Sequence, residues 1–316
     1  MPGRFQYVSV NGVDSELTAV TCGVPQGSAL GPLLFLLYVN DINKAVPDEQ
    51  IKLFADDTNL FISGCTIGEV NFCANIKLSQ LYDWLTANKL SVNIEKTSYM
   101  TFPRDKDNET LLCINNQVVN KVTSCRYLGV IIDDELKWID QINHVYKKLI
   151  KYCSIFYKLR RILPFKVLKQ VYFAFVNSHI LYAVEIYANT HKSYLDKLIK
   201  LNNKLLRIIQ DQPRRTHIIE LYENYSTLPV ILLHQQNLIL FAHNILHRPY
   251  KLPDLFRQYL DKNDDIHSHN TRLKDSVHLQ RPNTEFGKRS LKYKAAKFYN
   301  NLPEEIRFDL GDSVSK

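Results

Sequence analysis

The hydrophobic period of this chain changes near Lys137. Beyond that point Val145, Leu149, Tyr152, Phe156, Leu159 and Leu163 recur along one helical stripe. Pro164 can open a second helix at its first position, running to about Ala188. Leu195, Leu198, Leu205, Leu206 and Ile209 mark a third. The fold therefore has to accommodate an all-helical block of about 80 residues.

Upstream, strand signals alternate with helical ones. Residues 5–10 alternate and run into Asn11-Gly12, a strong hairpin signal, with residues 16–21 as the partner strand. Residues 23–28 form a loop. Ser28 is a good N-cap for a helix reaching about Asn40, with Pro32 on its fourth residue, where the missing N–H does little harm. Residues 33–39 are apolar all round, so that helix is expected to be buried. Residues 51–61 read as strand, tight turn, strand around Asp56-Asp57. Val70, Ala74, Leu78, Leu81 and Leu85 predict an amphipathic helix ending near Asn88.

Residues 91–101 mix strand residues with a polar turn, Asn93-Ile94-Glu95-Lys96. Residues 104–108 are a charged loop, and residues 111–119 and 126–133 are further strand candidates. The final segment is mixed, with helices near residues 230–246 and 291–300 and a polar linker at 261–269. The expected class is α+β. Its divisions are 1–135, 136–215 and 216–316, the middle one all-helical.

Charge is distributed unevenly. The net charge of the chain is +8. Residues 1–103 carry 6 basic and 10 acidic side chains, whereas residues 144–215 carry 15 basic and 3 acidic. Such a block usually meets a polyanion, and solubility alone would be served by mixed charge. Lys147, Lys148, Lys151, Lys158, Arg160 and Arg161 are its candidate contacts to a nucleic-acid backbone. Tyr146, Tyr152, Phe156 and Tyr157 interleave with them, mostly on the apolar stripe, and read as core. The opening Met-Pro-Gly-Arg-Phe-Gln-Tyr has no charged leader followed by an apolar run. The longest strongly apolar run, 33–39, is far shorter than the ~20 residues of a membrane span. No membrane partner is expected, and the location is read as intracellular, nucleus or cytoplasm being open. The six cysteines form no Cys-x-x-Cys pair and read as reduced core residues. His267-Ser268-His269 reads as a linker detail, and His179 and His243 as helix-packing residues.

The chemistry-bearing feature is Asp56-Asp57 at the tip of the predicted hairpin. At a turn two neighbouring carboxylates can reach one cation, and they repel unless a cation neutralises them. Carboxylates suit Mg²⁺, which commonly takes one or two from protein and completes its shell with water and substrate phosphates. Most Asp-Asp pairs are solvated turn residues. Apolar runs on both sides set this one apart.

Four motifs in order then resemble the reverse transcriptases of non-long-terminal-repeat retrotransposons. Gly23-Val24-Pro25-Gln26-Gly27-Ser28-Ala29-Leu30-Gly31-Pro32-Leu33-Leu34-Phe35 resembles their motif B, and Leu53-Phe54-Ala55-Asp56-Asp57-Thr58 their motif C. Asn93-Ile94-Glu95-Lys96-Thr97 is similar to motif D, and Tyr127-Leu128-Gly129-Val130 to motif E, the primer grip. Ala295-Ala296-Lys297-Phe298-Tyr299-Asn300-Asn301-Leu302-Pro303 resembles a C-terminal segment of such elements.

The resemblance implies a partial polymerase palm, an antiparallel sheet with helices, then an all-helical thumb and a mixed, mostly helical C-terminal region. It implies RNA-templated DNA synthesis by two-metal nucleotidyl transfer, with Mg²⁺ as cofactor. The partners would be an RNA template and DNA primer, or their duplex, with deoxynucleotides as substrates. Asp56 would bind metal and Asp57 support it. Pro25, Gln26 and Gly27 would lie against the template base and incoming nucleotide, where backbone must approach without a Cβ. Lys96 would face the triphosphate, although taken alone it is an ordinary turn lysine. Tyr127, Leu128 and Gly129 would hold the primer end, although as bare sequence they are strand.

One part of the family pattern is unmatched. A further aspartate, in motif A, precedes motif B by several tens of residues in the family. Only 22 residues precede Gly23 here, and their acids, Asp14 and Glu16, do not match motif A. The expectation is an N-terminally truncated reverse transcriptase that is inactive alone. The alternatives are a non-catalytic nucleic-acid-binding remnant of a retrotransposon and a decayed product without a stable fold. Within the family, intron-type or telomerase-type polymerases are the runner-up.

Overall fold

The structure is a computed structural model. It describes residues 4–20, 23–24, 27–47, 50–102, 111–256, 258–266, 276–303 and 306. The chain mixes helix and strand and divides into two compact units. The first comprises Met1–Thr101 with Asp105–Val122, the second Phe102–Arg104 with Thr123–Lys316.

The first unit opens with nested hairpins. Strands β1 (Arg4–Gln6) and β4 (Thr18–Val20) pair antiparallel, and between them β2 (Ser9–Val10) pairs β3 (Val13–Asp14). The turn is Asn11-Gly12, with φ of 53° and 80°. Asparagine and glycine tolerate that left-handed region, which matches the strand twist. Helix α1 (Gly31–Tyr38) starts three residues after Ser28, whose Oγ accepts from the Leu30 amide in a local turn. Pro32 consequently sits in the first turn and not on the fourth residue. The expected burial of α1 is not met. Leu33, Leu36 and Leu37 are exposed, and none of the helix's residues is buried among the described residues. A helix apolar on every side is buried only where neighbours cover it; here the Tyr38 hydroxyl donates to the Asn88 carbonyl, while the leucines of the helix stay exposed.

Strands β5 (Gln50–Phe54) and β6 (Asp57–Phe61) form the predicted hairpin. Helix α2 (Ile67–Ala87) follows, and the predicted stripe lies on it. Its N-terminus carries a capping box: Thr66 Oγ1 accepts from the Glu69 amide, and the Glu69 carboxylate accepts from the Thr66 amide. The Asn93 turn closes with Lys96 N–H donating to Asn93 Oδ1, and β7 (Ser98–Tyr99) leaves it. The predicted strand at 111–119 is instead a hairpin, β8 (Cys113–Ile114) and β9 (Gln117–Val118). Asn115 and Asn116 break it by taking φ of 48° and 61°, which asparagine accepts more readily than most residues. Strand β10 (Asn120–Lys121) pairs parallel with β7. A small core of Ala74, Leu112, Ile114 and Val119 joins α2 to these strands.

The second unit opens with β11 (Ser124–Tyr127) and β12 (Val130–Asp133), paired antiparallel. Asp133 then closes the turn that leads into α3 (Ile139–Ile150): its two oxygens accept from the Lys137 and Trp138 amides, just before the helix, at 2.8 and 2.7 Å. Helices α4 (Tyr152–Leu159) and α5 (Phe165–Tyr172) follow, Pro164 being the N-cap and not the first helical residue. A π-turn (Phe173–Asn177) leads into α6 (Ser178–Leu181). Ala183 at φ 58° separates α6 from α7 (Val184–Tyr187). Then come α8 (Lys192–Ile209), α9 (Ile218–Tyr225) and α10 (Val230–His247). Short helices α11 (Asn263–Ile266) and α12 (Glu285–Lys288) precede α13 (Leu291–Asn300), which packs on α10.

The main core is the predicted stripes brought together. Val145, Leu149, Phe156, Leu195, Leu198, Leu205, Leu206 and Ile209 are all buried, with Leu168, Tyr172 and Ile180. A chain of buried polar side chains runs through it. Tyr172 donates to Asn202, which donates to Tyr222, and Tyr222 in turn donates to Asn203. A second core lies between α10 and α13, around Leu238, Ala242, Ala295 and Tyr299. The cysteines are less uniform than expected: Cys65 and Cys73 are exposed, while Cys113, Cys125 and Cys153 are half-buried and reduced. No described helix is long and apolar enough to cross a membrane.

Candidate functional site

The Asp-Asp pair sits where local geometry places it. Phe54 and Asp57 close the β5–β6 hairpin, so Ala55 and Asp56 form a two-residue turn. Ala55 takes φ 51°, a conformation an alanine adopts at a cost of roughly 1–2 kcal/mol. Asp56 therefore stands on the turn and Asp57 on the first residue of β6, both exposed. The apolar arms do not bury them: Phe54 and Phe61 are themselves exposed. Among the described residues no three acidic, histidine or cysteine side chains converge into a metal cage. Two carboxylates nevertheless fit the share of ligands that Mg²⁺ commonly takes from protein.

The other predicted residues are dispersed. Pro25 and Gln26 lie outside the described residues, as do the 104–108 loop and His267-Ser268-His269. Gly27 has φ +80°, with open space where a Cβ would stand. Its backbone conformation, and no crowding neighbour, is what calls for glycine there. Lys96 is an exposed turn residue of the first unit. The segment 127–129 belongs to the second unit.

That segment is strand only at Tyr127, the last residue of β11. Leu128 and Gly129 form the two-residue turn of the β11–β12 hairpin, with φ of 45° and 83°. Leucine is ill suited to that region, so the turn needs outside support. Tyr182, at the C-cap of α6, supplies it: its hydroxyl donates to the Leu128 carbonyl at 2.5 Å. The same ring lies 3.4 Å from where a Gly129 Cβ would be. Gly129→Ala is expected to cost about 1–2 kcal/mol through its positive φ. Chemical unfolding measures it, and an unchanged midpoint would mean that the turn is not held in this conformation. Nothing local in the sequence links Tyr182 to a turn 54 residues away.

Among the basic candidates, Lys147, Lys151, Lys158 and Arg161 are exposed, and Lys148 is half-buried. Arg160 is engaged within the unit. It pairs with Asp211 at 2.6 Å, donates to the Ile208 carbonyl and lies over the Tyr157 ring. Tyr157 is exposed, unlike its neighbours Tyr152 and Phe156.

Comparison with known proteins decides the family. Residues 4–132 match the family described as reverse transcriptase (RNA-dependent DNA polymerase). This segment is a reverse transcriptase segment. Relatives extend the likeness across the division between the units. Over 229 residues the chain is 27% identical to the RNA-directed DNA polymerase from mobile element jockey of Drosophila melanogaster. That alignment covers 69% of this chain and 25% of the relative. Over 151 residues it is 31% identical to a retrovirus-related Pol polyprotein from type-1 retrotransposable element R1 of Nasonia vitripennis, covering 45% of this chain and 36% of that protein. A probable RNA-directed DNA polymerase from transposon X-element of Drosophila melanogaster is 24% identical over 66% of this chain. The chain thus spans about a quarter of the length of the jockey relatives. No solved structure matches it. The reverse transcriptase segment holds Asp56-Asp57, Gly27, Lys96 and the 127–129 turn, whereas the basic helices lie beyond it.

Proposed function

We propose that this chain is part of a polymerase that copies RNA into DNA. In this reading residues 1–135 are palm, 136–215 are thumb and 216–316 a C-terminal region. The observation that carries it is Asp56-Asp57 at the tip of the β5–β6 hairpin, Asp56 on its strained two-residue turn and Asp57 next to it, inside the segment that matches reverse transcriptases. Asp56 and Asp57 would hold Mg²⁺, which when bound supplies Lewis-acid stabilisation of charge on the transferred phosphate. Pro25, Gln26 and Gly27 face template and nucleotide, and Lys96 faces the triphosphate. The turn at Tyr127, Leu128 and Gly129 supports the primer end. Lys147, Lys148, Lys151, Lys158 and Arg161, with Arg160 held by Asp211, lie along the phosphate backbone. The partners are an RNA template, a DNA primer and deoxynucleotides.

The test is primer extension on an RNA template with Mg²⁺. The 316-residue chain alone is expected to be inactive, because no third acidic ligand converges on the pair among the described residues. Extension that vanishes in Asp56→Ala would overturn the inactivity and establish the site. Extension that survives Asp56→Ala would refute the metal role.

The charge of residues 144–215 favours a second reading, a nucleic-acid-binding protein without catalysis. Its signature is affinity for an RNA–DNA duplex that falls steeply as salt rises. Binding with this salt slope and no extension, even when the remaining polymerase parts are supplied, would select it.

A further inference from the structure

Helix α3 carries His144, Lys147, Lys148 and, at its C-cap, Lys151. These are spaced i, i+3, i+4 and i+7, which aligns four side chains along one stripe of a helix. The stripe of Ile142, Val145 and Leu149 is buried in the core. Helix α6 packs on α3 and brings His179 to the cationic stripe, where Lys148 and Lys151 act on it. Arg126 of β11 is a third contributor and, with Lys147, Lys148 and His179, acts on His144. The charges acting on the two rings are all positive. The acidic residue of α3, Asp140, lies in its first turn, before His144. Tyr182, three residues after His179, ties this face to the Leu128 carbonyl. Arg126 of β11 and the lysines of α3 thus gather around the two imidazoles, beside the turn that Tyr182 holds. Such a concentration of like charge works against the fold and favours an anion.

We propose that this face, Arg126, His144, Lys147, Lys148, Lys151 and His179, binds the phosphate backbone of an RNA–DNA duplex, and that its two histidines take up protons as the duplex binds. The proposal rests on the reading above that the α3 lysines meet nucleic acid, and it adds Arg126, both imidazoles and a dependence on pH. Burial, and then the neighbouring cations, hold both imidazoles below their ordinary range. Near neutral pH they are therefore uncharged in the free protein. Phosphates laid over Arg126 and the lysines offset the repulsion and favour the imidazolium forms. The complex then binds more protons than the free protein, so affinity has to rise as pH falls.

The experiment is fluorescence anisotropy of a labelled short RNA–DNA hybrid with the full chain, at fixed salt. Between pH 8 and pH 6 the affinity of the unaltered chain is expected to rise about tenfold, each of the two rings supplying about threefold when its pKa rises by one unit. In His144→Gln/His179→Gln the ratio of affinities at the two pH values should fall to about twofold or less. His179→Gln alone, on the half-buried ring of α6, should give an intermediate ratio if the double variant does not fold. A flat profile in the unaltered chain, or an undiminished rise in the variants, overturns the proposal. Salt-sensitive binding that ignores pH sinks the histidine role alone. Absence of binding at low salt sinks the reading beneath it as well.

Discussion

Phe156→Ala is expected to destabilise the second unit by about 3–5 kcal/mol, the range for emptying an aromatic position in a packed core. Phe156 is fully buried, and its ring packs against Tyr152 with centroids 6.1 Å apart. It sits on α4, which packs against α8, the helix that supplies the largest share of the buried leucines. Removing it leaves a void between two rigid helices that have little freedom to close on it. The chain has two tryptophans, Trp84 in the first unit and the buried Trp138 in the second. In a Trp84→Phe background, urea unfolding followed by fluorescence therefore reports the second unit. A loss below about 1 kcal/mol would mean that the helices repack and that the stripe is not a close-packed core.

The second large effect is on acid stability. His234 is buried on α10, its Nε2 3.0 Å from Asn189 Oδ1 and its ring edge-on to Phe298. Burial first, and the positive charge of Lys294 second, lower its pKa to about 4. In the unfolded chain the ring titrates near 6.5. Between these two values the unfolded state binds the extra proton and the folded state does not. Stability is therefore fully present above pH 6.5, declines as pH falls toward 4 and levels off below that. The contribution is about 3 kcal/mol, from a shift of about two and a half units. His234→Gln retains an amide that can donate to Asn189 and removes the titration. Its unfolding free energy should be flatter by that amount over this window. An equal acid slope in both proteins would show that His234 is not the group responsible.

Signals that were local in sequence came through well. The stripe from Val70 to Leu85, the heptad-like leucines of α8 and the apolar faces of α10 and α13 each became a helix over nearly the expected residues. Asn11-Gly12 made its hairpin, and Asp56-Asp57 stands at the end of one, because turn chemistry and flanking strands lie within a few residues. Burial was a different matter. The residues of α1 are uniformly apolar, yet their exposure depends on which elements cover them. The hairpin at Leu128-Gly129 was hidden because leucine rarely occupies a left-handed turn, and its support comes from Tyr182. Arg160 looked like any cation of the block until Asp211, distant in sequence, was found against it. The stripe of His144, Lys147, Lys148 and Lys151 was open to periodicity analysis, but its completion by Arg126 and His179 required the fold.

The π-turn at Phe173–Asn177 has a consequence for evolution by insertion. A π-turn holds one residue more than the α-helical turn it replaces, and this extra residue advances the helix by about 100°. Leu168, Tyr172, Val176 and Ile180 are all buried, so the core face runs through this turn and on to Tyr182, which holds the Leu128 carbonyl. A single-codon deletion within 173–177 would rotate all that follows by about 100° and turn Ile180 away from the core. It would carry Tyr182 off the Leu128 carbonyl while leaving the upstream half in place. The length of this turn, more than the identity of any residue in it, aligns the helical unit with the hairpin it supports.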